Sequence, residues 1–393
     1  MSLKVVVTGL GLVSALGSLE SSWRSLIDGK SAIRQHKPFA DLPSLPLGLI
    51  GGTTSLEKLT QLAVSDAVQD AGLATQAPNC GVVVGSSRGC QAAWEYLAGV
   101  LREGAKEQGR KINLLTPSLP DQETSLGGWL ETLPHQAAIT AARQVKSNGP
   151  VLAPMAACAT GIWAIAQGFE LIKTGQCQRV IAGAVEAPIT QLTLAGFDKI
   201  GVLAKTGAYP FDRQREGLVL GEGAAILVLE SAESALARGA SVYGQLLGFG
   251  LTCDAYHVST PNRDHHSAAM AVKQCLERSK LHHADIDYIH AHGTSTKLND
   301  DNEAQLIQKL FTQGVPVSST KGATGHTLGA SGAIGAVFSM MALKHQLLPP
   351  CVGLRETEFN LDLVTTPRQA QVRHLLCFSF GFGGQNAVLA MAK

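Results

Sequence analysis

The segment Val151-Leu152-Ala153-Pro154-Met155-Ala156-Ala157-Cys158-Ala159-Thr160-Gly161-Ile162-Trp163-Ala164-Ile165-Ala166-Gln167-Gly168-Phe169-Glu170-Leu171-Ile172-Lys173 reads as a strand, a turn of small residues and a helix. Ile162, Ile165, Ala166, Phe169 and Ile172 fall on one helical face, and Lys173 with Gly175 gives the stop. A weak echo follows later: Val315-Pro316-Val317, a turn at His326, then an apolar helix over roughly Ala330 to Lys344. Each half of the chain also ends in a strand-like run. The repeat predicts a duplicated α/β unit, with its two turns facing each other across a pseudo-twofold axis. A boundary near Ala240, after the helical stretch Ser231 to Arg238, gives one half over 1–240 with the cysteine. The other half, 241–393, holds both histidine turns described below. With no low-complexity linker between them, the halves are expected to share one core.

Outward from that segment, short apolar runs alternate with helical patterns. Val5-Val6-Val7, Val82-Val83-Val84, Val180-Ile181, Ile226 to Leu229, Ile286 to Ile289 and Val388-Leu389 fit strands buried on both faces. Thr54 to Ala71 reads as an amphipathic helix opened by a Thr54/Glu57 capping box and stopped at Gly72. Helices packed against sheets make the class α/β. The polar stretch Gly99 to Lys146, with Gly127-Gly128 and Trp129, reads as a site cover or a subunit interface.

The chain has 393 residues, 45% hydrophobic and 16% charged, so it can bury a large core. A formal charge of +1 gives no general attraction to nucleic acid or anionic membranes. No apolar run is long enough to span a bilayer, and the start Met1-Ser2-Leu3-Lys4 does not read as a signal peptide. The eight cysteines are scattered with no Cys-x-x-Cys pair, which predicts reduced thiols in a cytoplasm and no zinc site. His265-His266 and His282-His283 sit beside charged residues and read as solvated surface, so no metal is expected.

Three turns carry reactive groups among residues too small to crowd them: Cys158, His292 in His292-Gly293-Thr294-Ser295-Thr296, and His326 in Lys321-Gly322-Ala323-Thr324-Gly325-His326. Placed in the first turn of a buried helix, Cys158 would gain thiolate character from the dipole, and the unpaired N–H groups there can bind an oxyanion. A thiolate can hold an acyl group, and two neutral imidazoles can donate to an enolate in a dry site. Lys321 would bias both rings toward neutrality. Of Asp300, Asp301 and Glu303, one can pair with Lys321. The set points to carbon–carbon bond formation on thioesters. Phe378-Ser379-Phe380-Gly381-Phe382-Gly383-Gly384 alternates aromatic rings with glycines and can form a movable wall for an acyl chain.

Taken together, these motifs resemble the elongating class of β-ketoacyl-acyl-carrier-protein synthases. The resemblance runs nearly end to end: Val5 to Gly11, the Ala157-Cys158-Ala159-Thr160-Gly161 turn, Pro210-Phe211-Asp212-Arg213 with Gly221-Glu222-Gly223, His292 to Thr296, Thr320-Lys321 to Gly329, and Gly381-Phe382-Gly383-Gly384. It implies a thiolase-like fold of two pseudo-symmetric halves in five α-β-α-β-α layers, usually a homodimer. It implies Cys158 as the acylated nucleophile and His292 and His326 as stabilisers of decarboxylation and condensation. Lys321 would set the charge of the site and Glu303 would order the network. Amides of Cys158 and Phe382 would form the oxyanion hole, and Thr294 and Thr296 would touch the pantetheine arm. Phe382 and Phe197 resemble gate or pocket residues, with Phe380 beside them in the aromatic wall. The substrates implied are acyl and malonyl thioesters on the phosphopantetheine of an acyl carrier protein, with no metal or organic cofactor. One departure is visible: the helix over Leu56–Ala71, usually basic for carrier docking, has only Lys58, and near Phe197 only Lys199 is basic. That raises a specialised polyketide or lipid pathway with a dedicated carrier as an alternative.

Three rival readings remain on the sequence. Gly85-Ser86-Ser87-Arg88-Gly89 matches the serine-hydrolase Gly-x-Ser-x-Gly elbow, with Asp300 and His326 in the required order, but it leaves Cys158, His292 and Lys321 unused. Gly9-Leu10-Gly11 begins a dinucleotide fingerprint whose third glycine is Ser14. A non-catalytic chain-length subunit is argued against by the presence of Cys158.

Overall fold

A computed structural model describes residues 3–51, 55–74, 76–107 and 130–393. Thr54 and most of the 99–146 stretch's polar centre, including Gly127, Gly128 and Trp129, lie outside the described residues. The first half runs β1 (Val5–Ser14), α1 (Leu56–Asp70), β2 (Gly81–Gly85), α2 (Gln136–Val145), β3 (Val151–Leu152), α3 (Thr160–Lys173), β4 (Arg179–Glu186) and β5 (Gly223–Ser231). The second repeats the series as β6 (Gly244–Cys253), α4 (His266–Ser279), β7 (Tyr288–His290), α5 (Lys297–Leu310), β8 (Pro316–Ser318), α6 (Ser331–His345), β9 (His374–Gly381) and β10 (Gln385–Ala392).

The strand order makes the repeat explicit. It is β3-β2-β4-β5-β1 and then β6-β10-β9-β7-β8, with Asp362–Leu363 added at the far edge. β2 is parallel to β3 and β4, and β7 is parallel to β8 and β9. The pairs β4–β5, β5–β1, β9–β10 and β10–β6 are antiparallel. The half-sheets join where Val5, Val6 and Val7 meet Leu246, Gln245 and Gly244.

Continuous apolar runs become strands because both faces are covered, as in β2, β5 and β10, whose side chains are buried almost throughout. One outer cluster packs Leu59, Ala63, Ala67, Ala138 and Ala141 of α1 and α2 on the first half-sheet. Another packs Val272, Cys275, Leu276 and Ile307 of α4 and α5 on the second. The central cluster holds α3 and α6 between the half-sheets, through Ile162, Ile165, Ala333, Val337 and Phe338. The result is the five-layered thiolase-like α-β-α-β-α core, with α3 and α6 in the middle. α6 is buried from Ser331 to Leu343, so it shows no polar face.

Several sequence readings change here. Ser55, not Thr54, caps α1, its side chain accepting from Lys58 N. The glycines of Gly9-Leu10-Gly11 lie inside β1, not in a phosphate-binding turn: a Cβ at Gly9 would sit 2.3 Å from Ala67 O, and one at Gly11 1.9 Å from Ala63 O. They let α1 lie directly on the strand, which removes the dinucleotide reading. Of the 99–146 stretch read as a site cover or a subunit interface, the helix Gln91–Glu107 runs into its start and α2 lies near its end, where it belongs to the core. His265 is buried beneath the start of α4, its Nε2 3.4 Å from Gln305 Oε1, and His283 packs edge-on against Phe311; only their neighbours are exposed. All eight cysteines are unpaired. Among the described residues, no helix is long and apolar enough to cross a membrane.

Candidate active site

Two of the three reactive turns, those of Cys158 and His326, lead into the two central helices. Ahead of α3, Ala157 adopts φ +46, and the Thr160 hydroxyl accepts from Ala156 N and donates to Ala157 O. This tight loop turns Cys158 toward the second half. α3 begins at Thr160 with Ala159 as its N-cap, so Cys158 lies just ahead of the helix and not in its first turn. Burial pushes the thiol up to about 11, opposed by Lys321 and by the amide of Phe382, which donates to the sulfur. Burial thus works against the thiolate bias expected of a helix start.

His292 follows β7, and its amide donates to Glu303 Oε1 at 2.6 Å while Gly293 N donates to Oε2 at 2.7 Å. Lys321 donates to the His292 carbonyl, and its Nζ lies 3.4 Å from His292 Nδ1. An ammonium facing Nδ1 leaves the ring proton on Nε2. In His326 the same result comes from the backbone: Leu328 N donates to Nδ1 at 3.2 Å, with Ser331 Oγ 2.8 Å from that nitrogen. Burial first, and the Lys321 charge second, hold both imidazoles well below their usual range. The rings stand edge to face, with centroids 5.3 Å apart. Two neutral rings therefore offer Nε2–H donors side by side.

Cys158, His292 and His326 line one cavity of about 110 Å³, with Thr294, Thr296, Phe197, Phe380 and Phe382 in its wall. Phe197, on the helix Gln191–Lys199, stacks on Phe382 at 5.9 Å, and Phe380 lies 6.0 Å from the His292 ring. Thr296 also caps α5, accepting from Asn299 N, and its hydroxyl is 2.8 Å from that of Thr294.

The acidic residues behave differently from the simple pairing read in the sequence. Among the described residues no ion pair joins Lys321 to Glu303. Glu303 is taken up by the His292 and Gly293 amides and acts on Lys321 through space. Burial raises its carboxyl to about 7. Asp300 is buried and accepts from Phe211 N and Ser295 N, while Asp301 pairs with Arg215. Ser87 faces no histidine: its hydroxyl donates to Glu186 at 2.5 Å, which removes the hydrolase reading.

Comparison with known proteins settles the family. The family model "Beta-ketoacyl synthase, N-terminal domain" matches residues 53–235, and "Beta-ketoacyl synthase, C-terminal domain" matches 243–355. The chain belongs to the β-ketoacyl synthase family. It is a condensing acyltransferase, similar to 3-oxoacyl-[acyl-carrier-protein] synthase 2 of Staphylococcus aureus strain MRSA252, with 32% identity over 100% of this chain and 99% of the relative. The Synechocystis sp. protein of the same name is 34% identical over 99% and 98%. Among solved structures, a chain of the AntDE:AntF complex, a type II polyketide acyl-carrier protein with its ketosynthase, superposes with TM-score 0.91 at 26% identity, covering both chains fully. A β-ketoacyl synthase from Burkholderia phymatum gives 0.87 at 28%, also over 100% of each chain.

Buried polar residues that the motifs did not single out also stand near these turns. Glu186 closes β4, His290 precedes the His292 turn by two residues, and Ser331 holds His326. Only Ser331 carried a signal, as a hydroxyl five residues beyond a turn histidine on the next helix.

Proposed function

We propose that this synthase transfers an acyl group from a carrier-protein thioester to Cys158 and condenses it with a malonyl thioester on a carrier to give a 3-oxoacyl thioester. The observation that supports it most is the shared cavity of one thiol and two Nε2–H donors. In the first step the Cys158 sulfur attacks the acyl carbonyl, the pantetheine sulfur leaves, and the thiol proton ends on it. Amides of Cys158 and Phe382 receive the developing oxyanion; the Phe382 amide already points at the sulfur. In the second step the malonyl carboxylate leaves as carbon dioxide and its electron pair passes into the enolate. His292 and His326 donate to the enolate oxygen. The carbanion then attacks the acyl carbonyl, and the Cys158 sulfur departs and regains a proton from solvent. Lys321 keeps the rings neutral, so that they act as donors without carrying charge. Glu303 fixes the His292 turn. Thr294 and Thr296 contact the pantetheine arm, and Phe197, Phe380 and Phe382 form the gate and acyl wall. These steps draw on the chain's own groups and on the carrier's phosphopantetheine as substrate.

The working form is a homodimer in the cytoplasm, with halves dividing at 240/241. Among the described residues β3 is an edge of the sheet, and its Leu152, with Met155 just beyond it, is exposed, as a self-pairing edge requires. A specialised pathway with a dedicated carrier is the second reading. The exposed face of α1 carries Glu57 and Asp70 against Lys58, a poor match for a strongly acidic carrier.

The test is intact-protein mass spectrometry after mixing with acyl carriers of varied chain length. We expect one acyl adduct on the wild type, none on Cys158→Ala, and loss of condensation of at least about 10³-fold in the variant. An adduct of equal yield on Cys158→Ala would overturn the assignment.

A further inference from the structure

The Gly85-Ser86-Ser87-Arg88-Gly89 turn has no part in the mechanism above, yet it is tightly built. Its groups converge on Glu186, whose carboxylate is fully buried. Oε1 accepts from Ser86 Oγ at 2.8 Å and Arg88 N at 3.0 Å. Oε2 accepts from Ser87 N at 2.9 Å, Ser87 Oγ at 2.5 Å and Gly329 N at 2.9 Å. Four of those donors belong to the turn after β2, and the fifth comes from the other half of the chain.

Gly329 lies in the short turn Leu328–Ala330 between His326 and α6. The turn supplies the Leu328 amide that donates to His326 Nδ1, and the Ser331 hydroxyl 2.8 Å from the same nitrogen stands on the first residue of α6, directly after it. Leu328 adopts φ +42, a left-handed conformation unfavourable for a side chain with a Cβ, which persists only where the surroundings hold it. The carboxylate is what stands behind it: a Cβ added at Gly329 would lie 2.6 Å from Glu186 Oε2 and 2.8 Å from Ser87 N.

We propose that Glu186 is a positioning residue for the condensation: it clamps the 328–330 turn across the two halves and thereby fixes the His326 ring with its proton on Nε2. Without the clamp, Leu328 can relax toward negative φ, its amide leaves Nδ1, and the imidazole is free to rotate or to place its proton on the wrong nitrogen. The role separates the two half-reactions. Acylation of Cys158 depends on amides at 158 and 382, outside the clamped turn, whereas decarboxylation depends on both ring donors.

This inference rests on the roles proposed above for Cys158 and His326, so the experiment reads three quantities: acylation rate of Cys158, carbon dioxide release from a malonyl thioester, and the ring ¹⁵N shifts of His326 in labelled full-length protein. For Glu186→Ala we expect decarboxylation to fall at least about 30-fold, as when an enolate-stabilising donor is misplaced, with acylation within about threefold. His326 Nδ1 should lose its purely acceptor-type shift. Glu186→Gln can keep its oxygen on Gly329 and turn its amide to the Ser86 hydroxyl, so its rate should fall between. Gly329→Ala, which pushes the turn off the carboxylate from the other side, should reproduce the split if Glu186→Ala fails to fold. Equal losses in both half-reactions, decarboxylation within threefold of wild type, or an unaltered His326 shift would each overturn the clamp. A wild type that performs neither half-reaction would instead defeat the proposed function, and the His326 shift would still decide the clamp.

Discussion

At the scale of single residues, the site is a problem of keeping charge in the right place. Among the described residues Lys321 is the cation that acts on Cys158, His292 and His326 alike, lowering the thiol and both rings against a background set by burial. Lys321→Met should therefore lower kcat by about 10²-fold and move the acid limb of the pH–rate profile upward, because both imidazoles become easier to protonate once the neighbouring cation is gone. Steady-state rates between pH 5 and 8 check this; an acid limb that stays in place or moves down shows that Lys321 does not set the rings' charge. Cys158, His292, His326 and Lys321 were legible in the sequence because each stands in a run of small residues with nothing else to explain it. The burial of Cys158 was not, since helix-end position is local but burial is not: the groups that cover it, Leu47, Phe197, Leu220 and Leu328 among them, come from scattered parts of the chain. Glu186 was invisible for a related reason. In Ala182-Gly183-Ala184-Val185-Glu186 it is simply the polar residue that ends an apolar run, and its meaning comes from Gly329 in the other half.

Among the elements, α1 shows how a glycine pattern is misread when its partner is unknown. Gly9 and Gly11 alternate on one face of β1, and α1 fills the space their missing side chains leave, with Ala63 and Ala67 as the contact points. Small residues on both sides give the close fit. Gly11→Ala should destabilise the fold by about 3 kcal/mol, the upper part of the range for forcing a methyl into a packed interior, since the new Cβ would meet Ala63 O at 1.9 Å. The urea midpoint measures it, and an unchanged midpoint would mean α1 is free to back away. Strand identities were readable because β2, β4, β5 and β10 are apolar runs covered on both faces, and helix identities because α3 and α6 are too long and too apolar for anything else. Boundaries were less so: Thr54 and Ser55 are equally good caps on paper, and only the Ser55 side chain's acceptance from Lys58 N separates them. The helical character of α2 was hidden by the polar sequence before it, although its buried alanines anchor α1.

For the whole molecule, the packing of the two half-sheets and the central helices buries a set of titratable groups between His290 and His326, and this ties stability to pH. His290, His292 and His326 are all driven down by burial, His290 to about 3. Asp300 and Glu303 are driven up, to about 6 and about 7. The signs oppose. A histidine with a lowered folded-state pKa contributes stability that is full above its unfolded value near 6.5 and is lost as pH falls toward the folded value. A carboxyl with a raised pKa contributes stability that is full below its unfolded value and is lost as pH rises through the folded one. Across the mildly acidic range the imidazoles penalise acidification while the carboxyls favour it, so the wild-type dependence is the difference of the two sets. His290 isolates one term. It is buried, it faces Thr320 Oγ1 at 3.2 Å and Cys377 Sγ at 3.8 Å, and the nearby charge acting on it is Lys321. Between about pH 6 and pH 4 the unfolded chain carries a proton on this ring that the folded chain does not, which costs about 1.4 kcal/mol per pH unit. His290→Asn removes that term and leaves the carboxyls, His292 and His326 in both proteins. Subtracting the urea-unfolding free energies of variant and wild type at each pH should give a line rising by about 1.4 kcal/mol per unit of acidification in the variant's favour, flattening above about pH 6.5. A difference that is flat over the whole range, or that slopes the other way, would mean that the folded protein protonates His290 as readily as water does, and that the seam between the halves is wet where the packing makes it dry.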